Sequence, residues 1–163
     1  GRYDLATAFG RAYFPYQLRI ASDEDAVRTL RQPDFDPERL ALVAPSPAAG
    51  TLPPPRGPGS FAVVRFLSDT AERAELTATA SVPSLLVLTR SWDPGWTASV
   101  DGASAPVFRA QVGLLAVVVP AGDHRIEIAY RPLAFRIGLG LSAAGLLGLL
   151  LLGLSAPPGA RSR

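Results

Sequence analysis

ELTATASV, residues 75–82, places Leu76, Ala78, Ala80 and Val82 on one side of an extended chain and Glu75, Thr77, Thr79 and Ser81 on the other. A period of two with a single apolar row is the pattern of a strand that packs one face on a core and wets the other. HRIEIAY, residues 124–130, repeats it, with Ile126, Ile128 and Tyr130 opposed to Arg125, Glu127 and Ala129. Around these two lie further short apolar runs, at 61–66, 85–89, 96–100, 107–110 and 114–119. Short strands at even spacing predict a β-sandwich. Asp101-Gly102 sits between two of them and is the signal of a two-residue type I′ hairpin, and Pro120-Ala121-Gly122-Asp123 marks a second tight turn, so neighbouring strands are expected to be antiparallel.

Upstream the pattern changes. AYFPYQL, residues 12–18, reads as a short aromatic strand that Pro15 confines to an edge. A helix follows: Ser22 is a good N-cap with Asp25 three residues on, Asp23 and Glu24 suit the positive end of the helix dipole, and Ala26, Val27 and Leu30 share one side. Pro33 ends it, Asp34-Phe35-Asp36-Pro37 turns the chain, and Leu40 to Ala44 is apolar enough for a buried strand. The stretch 45–60, PSPAAGTLPPPRGPGS, has no periodicity and reads as a flexible surface loop.

Downstream, IGLGLSAAGLLGLLLLGL at 137–154 carries no charge. It comes close to the roughly 20 apolar residues that a helix needs to cross a bilayer core. Arg136 before it and Pro157, Pro158, Arg161 and Arg163 after it are interface and stop signals. Five regions are therefore expected: an α/β lead-in at 1–44, the loop at 45–60, a mainly β, antiparallel sandwich-like domain at 61–132, one transmembrane α-helix at 133–155 and a polar tail at 156–163. The absence of Met and of a signal-peptide pattern in the opening Gly-Arg-Tyr-Asp leads to the expectation of a piece cut from a longer membrane protein.

The sixteen basic residues are all arginine and are scattered singly, for a net charge of +2. With no basic stripe to meet phosphates, nucleic acid is not an expected partner. The lack of cysteine excludes disulfides and thiolate metal sites.

SLLVLTRSWDPGWTASVDG, residues 84–102, followed by VVVPAGDHRIEIAYRPLAFRIGLGLS, residues 117–142, resembles the C-terminal region of the YfhO-like bacterial membrane proteins. The resemblance joins Pro94-Gly95-Trp96, Asp101-Gly102, Pro120-Ala121-Gly122, His124, Tyr130, Pro132, Phe135 and Gly138 in order, and reaches back weakly to Arg11-Ala12-Tyr13-Phe14 and Asp36-Pro37-Glu38-Arg39. Asp93 stands where an aromatic is expected and Gln111 where Asn is expected. The resemblance implies a polytopic protein similar to GT-C glycosyltransferases, which take sugars from polyprenyl phosphates outside the membrane. Their catalytic acid is expected on an early loop, so this chain would be an accessory extracytoplasmic part. A membrane-anchored carbohydrate- or protein-binding module without enzymatic role is the alternative. Implied partners are the lipid bilayer, upstream transmembrane helices of the same protein, and a polyprenyl-linked sugar or envelope polysaccharide.

No catalytic residue, metal ligand set or cofactor site is read from the residues. Asp34-Phe35-Asp36 has the D-x-D form of metal-dependent glycosyltransferases, but its flanking prolines make it a turn. His124 is the only histidine, and Asp123 beside it points to the opposite side of an extended chain, so it is expected to open a strand without an oriented partner. Trp92 and Trp96 bracket a Pro-Gly bend, where packing at the end of the core competes with stacking on a sugar or resting at a membrane interface. Gly140, Ala144 and Gly148 recur every four residues, a small-residue face for helix packing.

Overall fold

The computed structural model describes residues 10–57, 59–132, 138 and 141–147. In chain order the elements are β1 (Ala12–Tyr13), β2 (Gln17–Ile20), α1 (Asp23–Leu30), β3 (Leu40–Val43), a 3₁₀ turn at Pro47–Thr51, β4 (Ala62–Asp69), β5 (Arg73–Ala80), β6 (Ser84–Ser91), β7 (Trp96–Val100), β8 (Ala103–Ala105), β9 (Val107–Ala110), β10 (Leu114–Val119) and β11 (Gly122–Tyr130). They form a six-stranded sheet, β1-β6-β10-β9-β3-β2, and a five-stranded sheet, β4-β5-β11-β7-β8. The chain divides into a compact unit, Gly1–Tyr130, and a second unit, Arg131–Arg163.

The alternating strands make the five-stranded sheet. On β5 Ala74, Leu76, Ala78 and Ala80 are buried and the intervening residues are not, and Ile126 and Ile128 of β11 continue the row beside them. These side chains meet Leu86, Leu88, Leu115, Val117 and Val119 of the other sheet and Phe14 just after β1, so the two inner faces share one core. The wet face carries the arginine–carboxylate lattice that the polar half of the pattern encodes, in which Arg73 and Arg125 both pair with Glu75.

The middle of the six-stranded sheet, β6 and β10, is buried on both faces, and its sequence says so. Leu85 to Leu88 are each at most 2% exposed, because 86 and 88 face the shared core while 85 and 87 face a second cluster with Tyr13, Ala41, Val43, Phe108, Ala110 and Ala116. Strands covered on both sides lose their alternation and read as continuous apolar runs. Closing this second cluster requires curvature. β1 and β2 lie at opposite edges of the sheet, which would be about 24 Å apart if it were flat. Only residues 14–16 join them, a reach of about 14 Å. The sheet therefore curls until its edges approach, and Pro15 breaks what reads in sequence as one strand into two at those edges.

The Pro/Gly/Ser-rich stretch differs from its expectation as a featureless loop. Ser46 caps the 3₁₀ turn by accepting from the Ala48 amide, and Ala48 and Leu52 pack on the second cluster. Arg56 donates to the carbonyls of Phe14 and Ser60 at 3.0 and 3.3 Å, and its own amide donates to Tyr16 at 2.9 Å. The segment thus crosses the gap between the two curled edges, a role that leaves no periodic signature because it is made by isolated contacts.

The lead-in is a βαβ unit: β2 and β3 pair in parallel, with α1 between them. Ser22 caps α1 as expected, accepting from the Asp25 amide, while Ala26 is buried against Leu42. β3 and β1 join β9 and β6, so residues on both sides of the 45–57 segment build the same sheet.

The expected membrane helix at 133–155 lies mostly outside the described residues. Within it, 138 and 141–147 are helical, with Leu141, Leu146 and Leu147 59–70% exposed. Among the described residues no helix is long and apolar enough to cross a membrane. Ala144 is helical and exposed, whereas its expected companions Gly140 and Gly148 lie outside the described residues.

Candidate functional site

The β6–β7 connection carries the chain from one sheet to the other through Trp92-Asp93-Pro94-Gly95. Asp93 builds the bend: its carboxylate accepts from the Gly95 amide at 2.7 Å and its carbonyl from the Trp96 amide at 3.1 Å. A short acidic side chain that satisfies a backbone donor two residues on is an Asx turn, and this explains why Asp serves at a position where an aromatic is expected. Trp96 then folds back, half-buried, against the shared core and donates its indole N–H to the Ser91 carbonyl at 3.1 Å. Its ring lies 5.1 Å from that of Tyr130. Burial, followed by the neighbouring Asp93 carboxylate, pushes the Tyr130 phenol above its ordinary value.

Arg90 stacks over Trp96 with its guanidinium carbon 5.5 Å from the ring centroid. It also pairs with Asp69 and donates to the Thr70 and Ala71 carbonyls. Asp69 takes a second bond, from Arg11 at 2.8 Å, and Arg11 lies over Phe66. Arg11, Phe66, Asp69, Thr70, Ala71 and Arg90, without Trp96, line an open depression of about 340 Å³. Arg90 is spent on its protein partners. Arg11 is the open member of the group, its side chain 71% exposed.

Trp92 belongs to a different neighbourhood. Its amide donates to the Gly113 carbonyl, and Arg109 lies 5.8 Å from its ring while holding both oxygens of Asp23 at 2.7 and 3.0 Å. The two tryptophans that sequence reasoning took as a pair are thus held by separate arginines, with Trp96 used in packing against the core.

Sequence reasoning missed Gln111. Its amide N–H donates to the Leu40 carbonyl at 3.0 Å and its amide oxygen accepts from the Leu42 amide at 3.4 Å. The side chain bonds to β3 as a neighbouring strand would, just where the β3–β9 pairing is limited to Val43 and Ala110. Gln111 and Val112 both have positive φ, 48° and 68°, a strained choice for a β-branched residue. The unexpected Gln at a position read as Asn was the only signal.

Asp36 accepts from the Glu38 amide at 2.9 Å, so Asp34-Phe35-Asp36 is the turn its prolines announced. His124 departs from expectation. It has an oriented carboxylate partner, supplied by the Asp101 turn at 2.6 Å, while its neighbour Asp123 accepts from Thr79 on β5. Its other nitrogen contacts the Ala121 carbonyl at 3.1 Å, leaving neither nitrogen to take a proton from a substrate. The bond with Asp101, then that with Ala121, raises the imidazole's pKa, and the Asp101 carboxylate is lowered by the same bond. Among the described residues no group of three or more His, Asp or Glu is arranged to hold a metal ion.

The family model described as bacterial membrane protein YfhO matches residues 64–142, from within β4 to beyond the end of β11. This region of the chain is that of a YfhO-like bacterial membrane protein. No curated protein and no solved structure matches the chain.

Proposed function

We propose that this chain is the accessory extracytoplasmic domain and last membrane helix of a polytopic YfhO-like protein that transfers sugars from a polyprenyl-phosphate donor to a cell-envelope polymer. The observation that carries this reading is the family match, which continues past β11 through Ser142 and so joins the β domain to the uncharged run at 137–154. The exposed leucines of 141–147 need a cover, which lipid and the upstream helices of the same protein supply. The β domain lies outside, the helix spans 133–155, and 156–163 is cytoplasmic. The domain's part is to position the donor or an envelope polysaccharide, with the chemistry carried out upstream. Among the described residues Asp36 serves a turn, Glu75 an ion-pair network, and both His124 nitrogens are engaged, which supports placing the chemistry upstream.

The test assays this chain and its full-length parent side by side with a polyprenyl-phosphate sugar and an envelope acceptor. Turnover by the parent alone is expected. Turnover by this chain alone would refute the accessory role, and inactivity of both would favour the binding module.

A further inference from the structure

His124 opens β11 beside two turns, and its ring joins them. Nδ1 lies 2.6 Å from Oδ2 of Asp101 and Nε2 lies 3.1 Å from the carbonyl of Ala121. A carboxylate and a carbonyl are acceptors only. Each ring nitrogen must therefore carry a hydrogen for both contacts to be bonds, since either neutral tautomer would aim a lone pair at an oxygen. The remaining geometry suits a charged ring. Its side chain is 16% exposed, and Gly122, at φ 118°, leaves the room that a Cβ would take 3.4 Å from Nε2. Asp101 is itself fixed to β11: its Oδ1 accepts from the Arg125 amide and its own amide donates to the Arg125 carbonyl, both at 2.8 Å.

We propose that His124 is a proton-operated clamp: as an imidazolium it ties the Asp101-Gly102 turn to the Pro120–Gly122 turn, and loss of its proton leaves the ring bonded to only one of them. The charged groups around it favour the proton. Asp101 faces it from the β7–β8 turn, and Asp123 on β11 adds a second negative charge. From β5 it meets Ala78 in register, with no charge, while Arg125 on β11 is neutralised by Glu75. Because the folded ring holds its proton more tightly than the unfolded chain does, the clamp's contribution is complete below the ordinary histidine value of 6.5 and is lost as pH rises through the raised folded value.

As the only histidine, His124 gives a single imidazole signal in the full chain in detergent. Nitrogen NMR below pH 6.5 should find both ring nitrogens protonated, and the titration midpoint should lie above 6.5. Asp101→Asn, which tolerates the positive φ of 51°, should lower that midpoint. The thermal midpoint of the wild type should exceed that of His124→Gln at acid pH, and the gap should close as pH rises through the titration. A wild-type midpoint at or below 6.5 would overturn the clamp. So would a midpoint that Asp101→Asn leaves in place, or a gap that does not change with pH. The NMR arms need no His124 variant, so poor folding of His124→Gln would not remove the test.

Discussion

Replacing Trp96 with alanine separates a packing role from a ligand platform. A fully buried Trp costs about 3–5 kcal/mol when truncated. Trp96 is only half-buried, packed on the shared core, so that contribution falls to about 2 kcal/mol. Its indole N–H bond to the Ser91 carbonyl adds about 1 kcal/mol, giving about 3 kcal/mol for the alanine variant. Trp96→Phe keeps an aromatic ring beside Tyr130 and under Arg90 but loses the indole bond, and should cost about 1 kcal/mol. In a domain of this size 1 kcal/mol shifts the melting midpoint by about 4 °C, so the two variants should melt lower by about 12 °C and 4 °C. Circular dichroism of the full chain in detergent reads this without using the tryptophan signal being removed. A shift in the alanine variant of less than about 2 °C, which is about 0.5 kcal/mol, would refute packing as the ring's main work. If that small shift came with lost retention on an envelope polysaccharide, the ring would be a sugar platform.

Three other outcomes are expected. The chain in membranes should resist extraction by alkaline carbonate through residues 133–155, and its recovery as a soluble monomer would remove the membrane helix from the reading. A cysteine replacing the exposed Ala103, unique in a chain that has none, should react with an impermeant thiol reagent in intact cells; labelling only after lysis would invert the topology. Gln111→Ala should destabilise the domain by about 1–3 kcal/mol, because the Leu40 carbonyl and Leu42 amide lose a shared partner in a half-buried site, and an unchanged unfolding curve would show that water replaces the amide freely.

What could be read of the fold depended on whether a segment's environment was periodic. Residues 75–82 and 124–130 sit between one core and water, so their side chains record that boundary every second position. β6 and β10 were legible as strands because a short apolar run bounded by turn residues has few other uses, but their two-sided burial was not. The second cover comes from Ala48 and Leu52 in a stretch whose composition argues for a loop, and a cover made of single contacts has no period. Likewise AYFPYQL reads as one strand because nothing local says that its halves belong to opposite edges of a curled sheet. That separation is set by the pairing of β1 with β6 and of β2 with β3, partners 74 and 23 residues away at Tyr13–Val87 and Gln17–Leu40 respectively.

The candidate sites divide along the same line. Ser22 and the Asp34–Pro37 turn act on their own neighbours in sequence, and so they are readable from those neighbours. Trp92 and Trp96 are close in sequence, yet Arg109 and Arg90 hold them apart, because the bend between them carries the chain from one sheet to the other. His124 shows the converse. Its sequence neighbour Asp123 is turned to Thr79, as strand alternation requires, while the carboxylate it meets is brought by a turn 23 residues earlier. Strand alternation could exclude the wrong partner but could not supply the right one, since that depends on β7 and β11 being hydrogen-bonded neighbours with Val100 opposite Ile126. Once that register is known, the Asp101 turn falls beside the start of β11 and the contact with His124 follows.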